Sequence, residues 1–271
     1  MVSAVRGAAV RGGLGGRVLR GAGRAGFVAR GVVYVLVGVL ALQIAGDRGG
    51  AEADRRGALH RIAEQPFGAV VLWALVVGFA GMALWRASTA VFGEAGETRT
   101  AGRVLCAGRA VFYAFVCSGT LRFAAGAGEG SSSDAASRDW TAAVMSRPGG
   151  RYVVAGAGVV LLAAGVAIAV RAVQRRFLKK LDTGSMDRRV RSAVTATGVV
   201  GNVARGAVFG AAGVFVLVAA VRFDPGRAKG MDDTLRSFAD GAAGPWLLVA
   251  VAAGLVLFGV FSFASARWRR L

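Results

Sequence analysis

Six uninterrupted apolar stretches dominate this sequence, and each is long enough to cross a lipid bilayer as one helix. They cover residues 25–45, 67–85, 104–121, 152–170, 198–221 and 245–266. About 20 apolar residues in helical form span a bilayer core of about 30 Å. Unpaired backbone amides are not tolerated in lipid, and the stretches lack the alternation of barrel strands, so helices are predicted. The 55% share of hydrophobic residues agrees with an integral membrane protein.

Basic residues are distributed unevenly between the segments that flank the stretches. The N-terminus, the second and fourth connections and the C-terminus form one group, called the basic side, which includes the arginines just inside the odd-numbered stretches. This group holds 22 basic and 4 acidic residues, whereas the first, third and fifth connections hold 12 and 11. Short cytoplasmic loops carry an excess of Lys and Arg. We therefore predict that the basic side, with both termini, is cytoplasmic.

The fourth connection contains the densest group of positive charges, called the linker cluster. Its members are Arg171, Arg175, Arg176, Lys179, Lys180, Arg188, Arg189 and Arg191. The expected roles are to set orientation and to attract anionic phospholipids of the bilayer. Nucleic acid is not expected as a partner, because no aromatic or motif context accompanies these charges. An acidic cytoplasmic protein is a further possible partner, but the sequence identifies no protein partner.

A pattern that recurs in the odd-numbered stretches indicates three tandem copies of a two-helix unit. Aligned without gaps, three sets of residues are equivalent: Arg30, Arg109 and Arg205; Tyr34, Tyr113 and Phe209; Gly38, Cys117 and Gly213. The odd-numbered connections each close on a glycine, at positions 68, 150 and 244, after a short amphipathic segment predicted to lie at the outer interface. No even-numbered stretch contains an arginine. Small residues spaced by four predict close helix contacts at Ala74 and Gly78, Ala163 and Ala167, Gly206 and Gly210, and Ala250 and Gly254.

The predicted fold is an all-α integral membrane protein in which three parallel two-helix repeats surround a pseudo-threefold axis along the membrane normal. All copies share one orientation because each contains two spans. The predicted segments are a basic N-terminal segment (1–22), repeat 1 (23–86), repeat 2 (87–171), a basic linker (172–196), repeat 3 (197–266) and a C-terminal segment (267–271).

The Gly-Arg-x-Gly-x-x-Ala-Arg-Gly-x-x-Tyr start of the first copy, with its two counterparts, resembles an actinobacterial membrane family known only as a domain of unknown function. The resemblance covers nearly the whole chain. It implies a six-helix, threefold-repeated fold in a bacterial plasma membrane, and it implies no activity. The third copy departs from the pattern, with Val199 in place of the first arginine and Phe209 in place of the tyrosine.

Groups suited to catalysis or metal binding are scarce in the predicted spans. All 15 carboxylates fall outside the six stretches, which disfavours a proton-coupled pump. The single histidine, His60, is expected at the surface, and no metal-ligand spacing is present. Cys106 and Cys117 lie about 16 Å apart along one predicted helix, too far for a disulfide. We therefore predict a non-enzyme without cofactor or metal.

The repeated arginines Arg30, Arg109 and Arg205 are the clearest candidate site. Each lies one to two turns inside the basic end of its stretch, where it can extend to lipid phosphates. Alternatively, the threefold axis brings them into a ring that binds an anion, a lipid headgroup or a cytoplasmic partner. Tyr34 and Tyr113 follow their arginines by four residues, and either contact them or pack in the core.

The scarcity of intramembrane polar groups favours a structural, scaffold or lipid-interacting component of the bacterial cell envelope. The alternative is a small-solute or anion permeation protein that uses the pseudo-threefold centre. A membrane enzyme is the third and least favoured class.

Overall fold

The computed structural model describes residues 14–46, 53–92, 100–126, 133–239 and 244–269, and most of these residues are helical. Six long helices meet the length and hydropathy needed to cross a membrane: α1 (Leu14–Ala45), α3 (Gly68–Phe92), α4 (Thr100–Ala124), α6 (Gly150–Val173), α7 (Arg188–Arg222) and α9 (Gly244–Trp268). Three shorter helices lie in the odd-numbered connections: α2 (Arg55–Ala63), α5 (Ser133–Met145) and α8 (Met231–Ala239). The predicted six membrane-crossing helices are confirmed. The predictions for residues 1–13 and 270–271 lie outside the described residues.

The long helices extend beyond the predicted apolar stretches, because helical hydrogen bonding continues into the polar residues that follow. Helix α3 continues to Phe92 and includes Arg86, α6 includes Arg171, and α9 includes Arg267. The even-numbered helices therefore include arginines that lie just outside the even-numbered apolar stretches. The extension adds no carboxylate: none of the six candidate spans contains Asp or Glu.

The chain divides into two compact units. The first contains Met1–Gly31, Ile62–Glu129 and Ser262–Leu271, and the second contains Val32–Arg61 and Gly130–Phe261. In the first unit, the first half of α1 packs on α3, and α3 packs on α4. In the second unit, the remainder of α1 packs on α9, α9 packs on α7, and α7 packs on α6.

Equivalent glycines bring the two helices of a repeat close together. In the first unit, a Cβ added at Gly78 would lie 2.7 Å from the Cβ of Ala29. In the second unit, a Cβ added at Gly254 would overlap the Cβ of Ala204. Gly78 and Gly254 both lie ten residues after the glycine that opens their helix, and both alanines precede an equivalent arginine. The same contact therefore joins the helix pairs of the first and third repeats.

A second contact joins the first helix of one repeat to the second helix of another, and it also recurs. A Cβ added at Gly38 of α1 would lie 2.7 Å from Val256 of α9, and one added at Gly213 of α7 would lie 2.5 Å from the backbone of Leu162 in α6. The third equivalent residue, Cys117 of α4, places its Sγ 3.5 Å from a backbone carbonyl oxygen of α3. The predicted equivalence of these three odd-helix positions is thus visible in their contacts.

Part of the close contact between α6 and α7 is formed by backbone atoms. A Cβ added at Gly165 would lie within 2.8 Å of the backbone of Gly206 and Gly210. These two glycines therefore contribute to a close helix contact, as the small-residue spacing predicted. On α6, however, the equivalent role falls to Gly165, and Ala163 is exposed.

The odd-numbered connections contact one another within the second unit. Asp232 of α8 accepts hydrogen bonds from the backbone N–H of Ala53 at 2.8 Å and from Arg236 at 2.8 Å. Asp134 of α5 accepts a hydrogen bond from the backbone N–H of Asp233 at 3.2 Å. Residues from all three repeats therefore meet on the side opposite to the basic side.

Candidate functional site

Arg30 lies in the first unit and is satisfied by a neutral partner. Its Nε donates a hydrogen bond to Oγ of Ser262 at 3.1 Å, and its guanidinium lies 4.8 Å from the centre of the Phe27 ring. Ser262 is fully buried in α9. This hydrogen bond joins α1 to α9 and adds no charge of its own, because a hydroxyl is a neutral acceptor.

Arg205 lies in the second unit, surrounded by aromatic rings. Its guanidinium is 5.2 Å from the centre of Phe209 and 5.0 Å from that of Phe258, and its Nε donates to the Tyr34 hydroxyl at 3.1 Å. Tyr34 also meets Phe258 edge-on at 4.7 Å. Tyr34 therefore contacts the arginine of the third repeat, across a helix interface that spacing along one helix does not reveal.

Tyr113 packs in the core of the first unit. It is 8% exposed, and its ring lies 6.5 Å from that of Phe79 and 5.5 Å from that of Phe112. Tyr113 is therefore buried among aromatic rings, and its predicted role at the arginine site stays a prediction. The ring of three arginines stays a prediction, since Arg30 and Arg109 belong to the first unit and Arg205 to the second.

Arg86 of α3 is a buried arginine that the sequence did not single out. It is 4% exposed, and its Nε and Nη1 are buried without a hydrogen-bond partner. Its guanidinium lies 4.2 Å from the centre of the Trp85 ring. The charged groups that act most on it are Arg109, which is exposed on α4, and Arg30.

The repeat register accounts for this pair of arginines. Arg86, Ile168 and Ser262 are equivalent, each eighteen residues after the glycine that opens its helix. In the contact between the first and third repeats, Ser262 therefore faces Arg30. In the equivalent contact between the first and second repeats, Arg86 lies near Arg109. Extending the repeat alignment from the odd helices to the even helices would have identified Arg86 from the sequence.

The linker cluster is an ordered structure on the second unit. A short 3₁₀ helix, Arg176–Lys180, follows α6, and the Phe177 ring packs 5.0 Å from that of Phe261 and against Gly198. All members of the cluster are exposed except Lys180, which is half-buried. The packing of Phe177 therefore holds a group of solvent-facing cations at the basic ends of α6 and α7.

An apolar groove lies beside the linker cluster on α6. It has a volume of about 520 Å³ and is lined from Val159 to Val170 by aliphatic side chains. At its basic end the lining changes to Arg171, Gln174 and Arg176. The groove thus combines an apolar wall with a cationic end.

An acidic group occupies the opposite side of the second unit. Oxygen atoms of Asp134, Asp232 and Asp233 lie within 4.8 Å of one another. Burial is the main reason that the pKa of Asp134 is raised to about 6, and the two neighbouring carboxylates raise it further. Asp233 pairs with Arg138, and the hydrogen bond from Arg236 to Asp232 raises the pKa of that arginine. Through these contacts the three aspartates join the odd-numbered connections to one another.

Six apolar helices, contacts that recur between repeats and the lack of carboxylates in the spans define a multi-pass helical membrane protein with internal repeats. The family model described as Domain of Unknown Function (DUF1206) matches the chain three times, at residues 25–93, 104–175 and 200–269. The chain therefore belongs to this family, and the three matches confirm that it contains three tandem repeats.

The chain is also similar to a Bacillus subtilis (strain 168) protein described as "Uncharacterized protein YxxB". The two are 30% identical over 258 residues, which cover 92% of this chain and 90% of the relative. No solved structure matches the chain.

Proposed function

We propose that this protein is a non-enzymatic component of the bacterial cell envelope that binds anionic phospholipids in the cytoplasmic leaflet, with both termini in the cytoplasm. The observation that carries the proposal is the linker cluster, an ordered group of exposed cations at the basic ends of α6 and α7. Each Lys or Arg near an anionic bilayer surface contributes about 1 kcal/mol of attraction. Several such residues held in one place favour anionic over zwitterionic lipid.

The groove on α6 supports a lipid as the ligand. Its aliphatic wall, from Val159 to Val170, suits an acyl chain, and the cationic end at Arg171 and Arg176 suits a phosphate. A phospholipid presents these two chemistries in the same order along its length. Guanidinium groups also bind phosphate oxygens in pairs, with a geometry that ammonium groups lack.

A binding role is favoured over catalysis by the composition of the spans. The six candidate spans, all of them described, contain no carboxylate and no histidine. General acid–base catalysis within the membrane would need such a group within hydrogen-bond reach of a substrate. One fully buried polar group, the Ser262 hydroxyl, instead joins two helices by accepting a hydrogen bond from Arg30.

Analysis of the lipids that co-purify with the protein tests the proposal. The wild-type protein is expected to be enriched in anionic over zwitterionic phospholipid relative to the membrane from which it is extracted. A triple variant of the linker cluster, Arg175→Gln, Arg176→Gln and Lys179→Gln, removes about 3 kcal/mol of attraction at about 1 kcal/mol per charge. It is expected to lose most of the enrichment, as measured by mass spectrometry of the extracted lipids.

A matched control neutralises three exposed arginines at the opposite ends of the spans, Arg122, Arg147 and Arg222. This control changes the net charge equally and is expected to keep the enrichment. The same lipid composition in the wild type and both triple variants would contradict the proposal. Release of chloride or phosphate from liposomes that contain the wild-type protein, above that from empty liposomes, would support the permeation alternative instead.

A further inference from the structure

Arg86 poses a problem of charge balance in the first unit. Its side chain is 4% exposed, and its Nε and Nη1 have no hydrogen-bond partner. Buried guanidinium N–H groups are normally hydrogen-bonded, because removing a charge from water without a partner is very unfavourable. Among the residues that the structure describes, the Arg86 side chain therefore has no counter-charge, and two of its N–H groups have no acceptor.

The surrounding side chains increase this imbalance. The strongest charged neighbours of Arg86 are two further arginines, Arg109 and Arg30, and no carboxylate is among the groups that act on it most. The Trp85 ring covers one face of the guanidinium at 4.2 Å, which compensates the charge in part. An aromatic face cannot accept the in-plane hydrogen bonds that Nε–H and Nη1–H direct outward.

At the equivalent contact of the repeat alignment, Ser262 stands at the position of Arg86. There, Ser262 accepts a hydrogen bond from Arg30 at 3.1 Å, so an arginine faces a neutral acceptor. Near Arg109, by contrast, this position holds Arg86, so that a second cation takes the place of the hydroxyl acceptor. An anion at this contact would balance the charge of Arg86 and accept its hydrogen bonds.

We propose that Arg86 and Arg109 form a binding site for a phosphate group, beside Trp85 in the first unit. Phosphate suits the site because its oxygens accept paired hydrogen bonds from a guanidinium and its charge balances the arginines. Arg109 is exposed on α4, so its guanidinium can meet a ligand from outside the protein. Two sources can supply this phosphate group. One is the headgroup of an anionic phospholipid, and for this source the inference rests on the proposed function. Free phosphate is the other source.

The test uses the full-length protein in nanodiscs of phosphatidylcholine, with two probes. Phosphatidylglycerol is added to the nanodiscs in one arm, and inorganic phosphate is added to the buffer in the other. Binding is followed by the thermal unfolding midpoint over a range of probe concentrations. At least one probe is expected to raise the midpoint of the wild-type protein, with saturation at one equivalent per chain.

The decisive variant is Arg86→Ser, because it recreates the arginine–serine pair seen at Arg30 and Ser262 and is expected to fold without a ligand. Its affinity for the active probe is expected to fall about tenfold or more, as for loss of a charge-assisted pair of hydrogen bonds. Arg86→Lys keeps the charge but not the paired geometry, and an intermediate loss is expected. Arg122→Gln, which removes an exposed arginine at the opposite end of α4, is the matched control and is expected to bind normally.

The outcomes separate the sources and the two proposals. A shift with phosphatidylglycerol alone identifies a lipid headgroup, and a shift with inorganic phosphate identifies a soluble anion. No shift with either probe, or an unchanged shift in Arg86→Ser, would overturn the site. The linker triple variant is expected to keep the Arg86-dependent shift while it loses general lipid enrichment, so that the failure of one proposal is distinguishable from failure of the other.

Discussion

Replacing Gly165 with alanine tests whether direct contact between helix backbones holds α6 against α7. The added Cβ would lie 2.5 Å from the Gly210 nitrogen and 2.6 Å from the Gly206 carbonyl oxygen. Ordinary contacts of a Cβ begin near 3.4 Å, so the two helices must separate by about 0.9 Å. A gap of this size forfeits about a quarter to a half of the dispersion attraction across an interface.

The matched control is Gly156→Ala on the same helix, where a Cβ meets nothing within 4 Å. Alanine gains about 1 kcal/mol of helix propensity at either position, whereas overpacking costs about 1–3 kcal/mol. The added Cβ at Gly165 would meet backbone atoms, which cannot move aside as a flexible side chain can. We therefore expect Gly165→Ala to lower the free energy of unfolding by about 2 kcal/mol and Gly156→Ala not to lower it. Unfolding in a series of detergent mixtures measures both. Equal stabilities for the two variants would refute the close backbone contact.

Three further predictions concern polar and aromatic contacts. Ser262→Ala removes the hydrogen-bond acceptor of Arg30 and is expected to lower the free energy of unfolding by about 1 kcal/mol, measured in the same assay. Burial raises the pKa of Asp134 from 3.8 to about 6 in the folded protein. The protonated carboxyl group therefore stabilises the fold in full below about pH 4, and this stabilisation is lost as the pH rises through about 6. Thermal midpoints from pH 4.5 to 7.5 should show this loss, and Asp134→Asn should reduce it; an unchanged profile would exclude Asp134 as the cause. Phe177→Ala removes the contact that holds the linker cluster and is expected to accelerate trypsin cleavage there; an unchanged rate would show that Phe177 does not restrain the linker.

The membrane-crossing helices and the repeat register could be predicted from the sequence, because both depend on chemistry that is local in the chain. Apolar runs define spans directly, and glycine or arginine at fixed intervals defines the register. Gly38, Cys117 and Gly213 were aligned from sequence alone, and each contacts a neighbouring helix in the structure. Once equivalent positions are aligned, a helix contact made by one of them predicts the same kind of contact for the others.

The candidate site could be predicted only in part. Arg86 was missed because the apolar run ends at Trp85, whereas the helix continues to Phe92. The contact between Tyr34 and Arg205 depends on which helices of different repeats are neighbours, and periodicity along one helix carries no such information. Burial is likewise a property of packing, so an arginine near a helix end gives no sign in the sequence of being 4% exposed.

An experimental density map of the protein in phosphatidylglycerol-containing nanodiscs tests the central claim, anionic lipid recognition, most directly. The account predicts a phosphate-sized peak within hydrogen-bond distance of Nε and Nη1 of Arg86 and close to Arg109. It also predicts no such peak between Arg30 and Ser262, where a hydroxyl already accepts the hydrogen bond. A protein carboxylate paired with Arg86, or an Arg86 side chain without an anion in a map that resolves its neighbours, would contradict lipid recognition at Arg86.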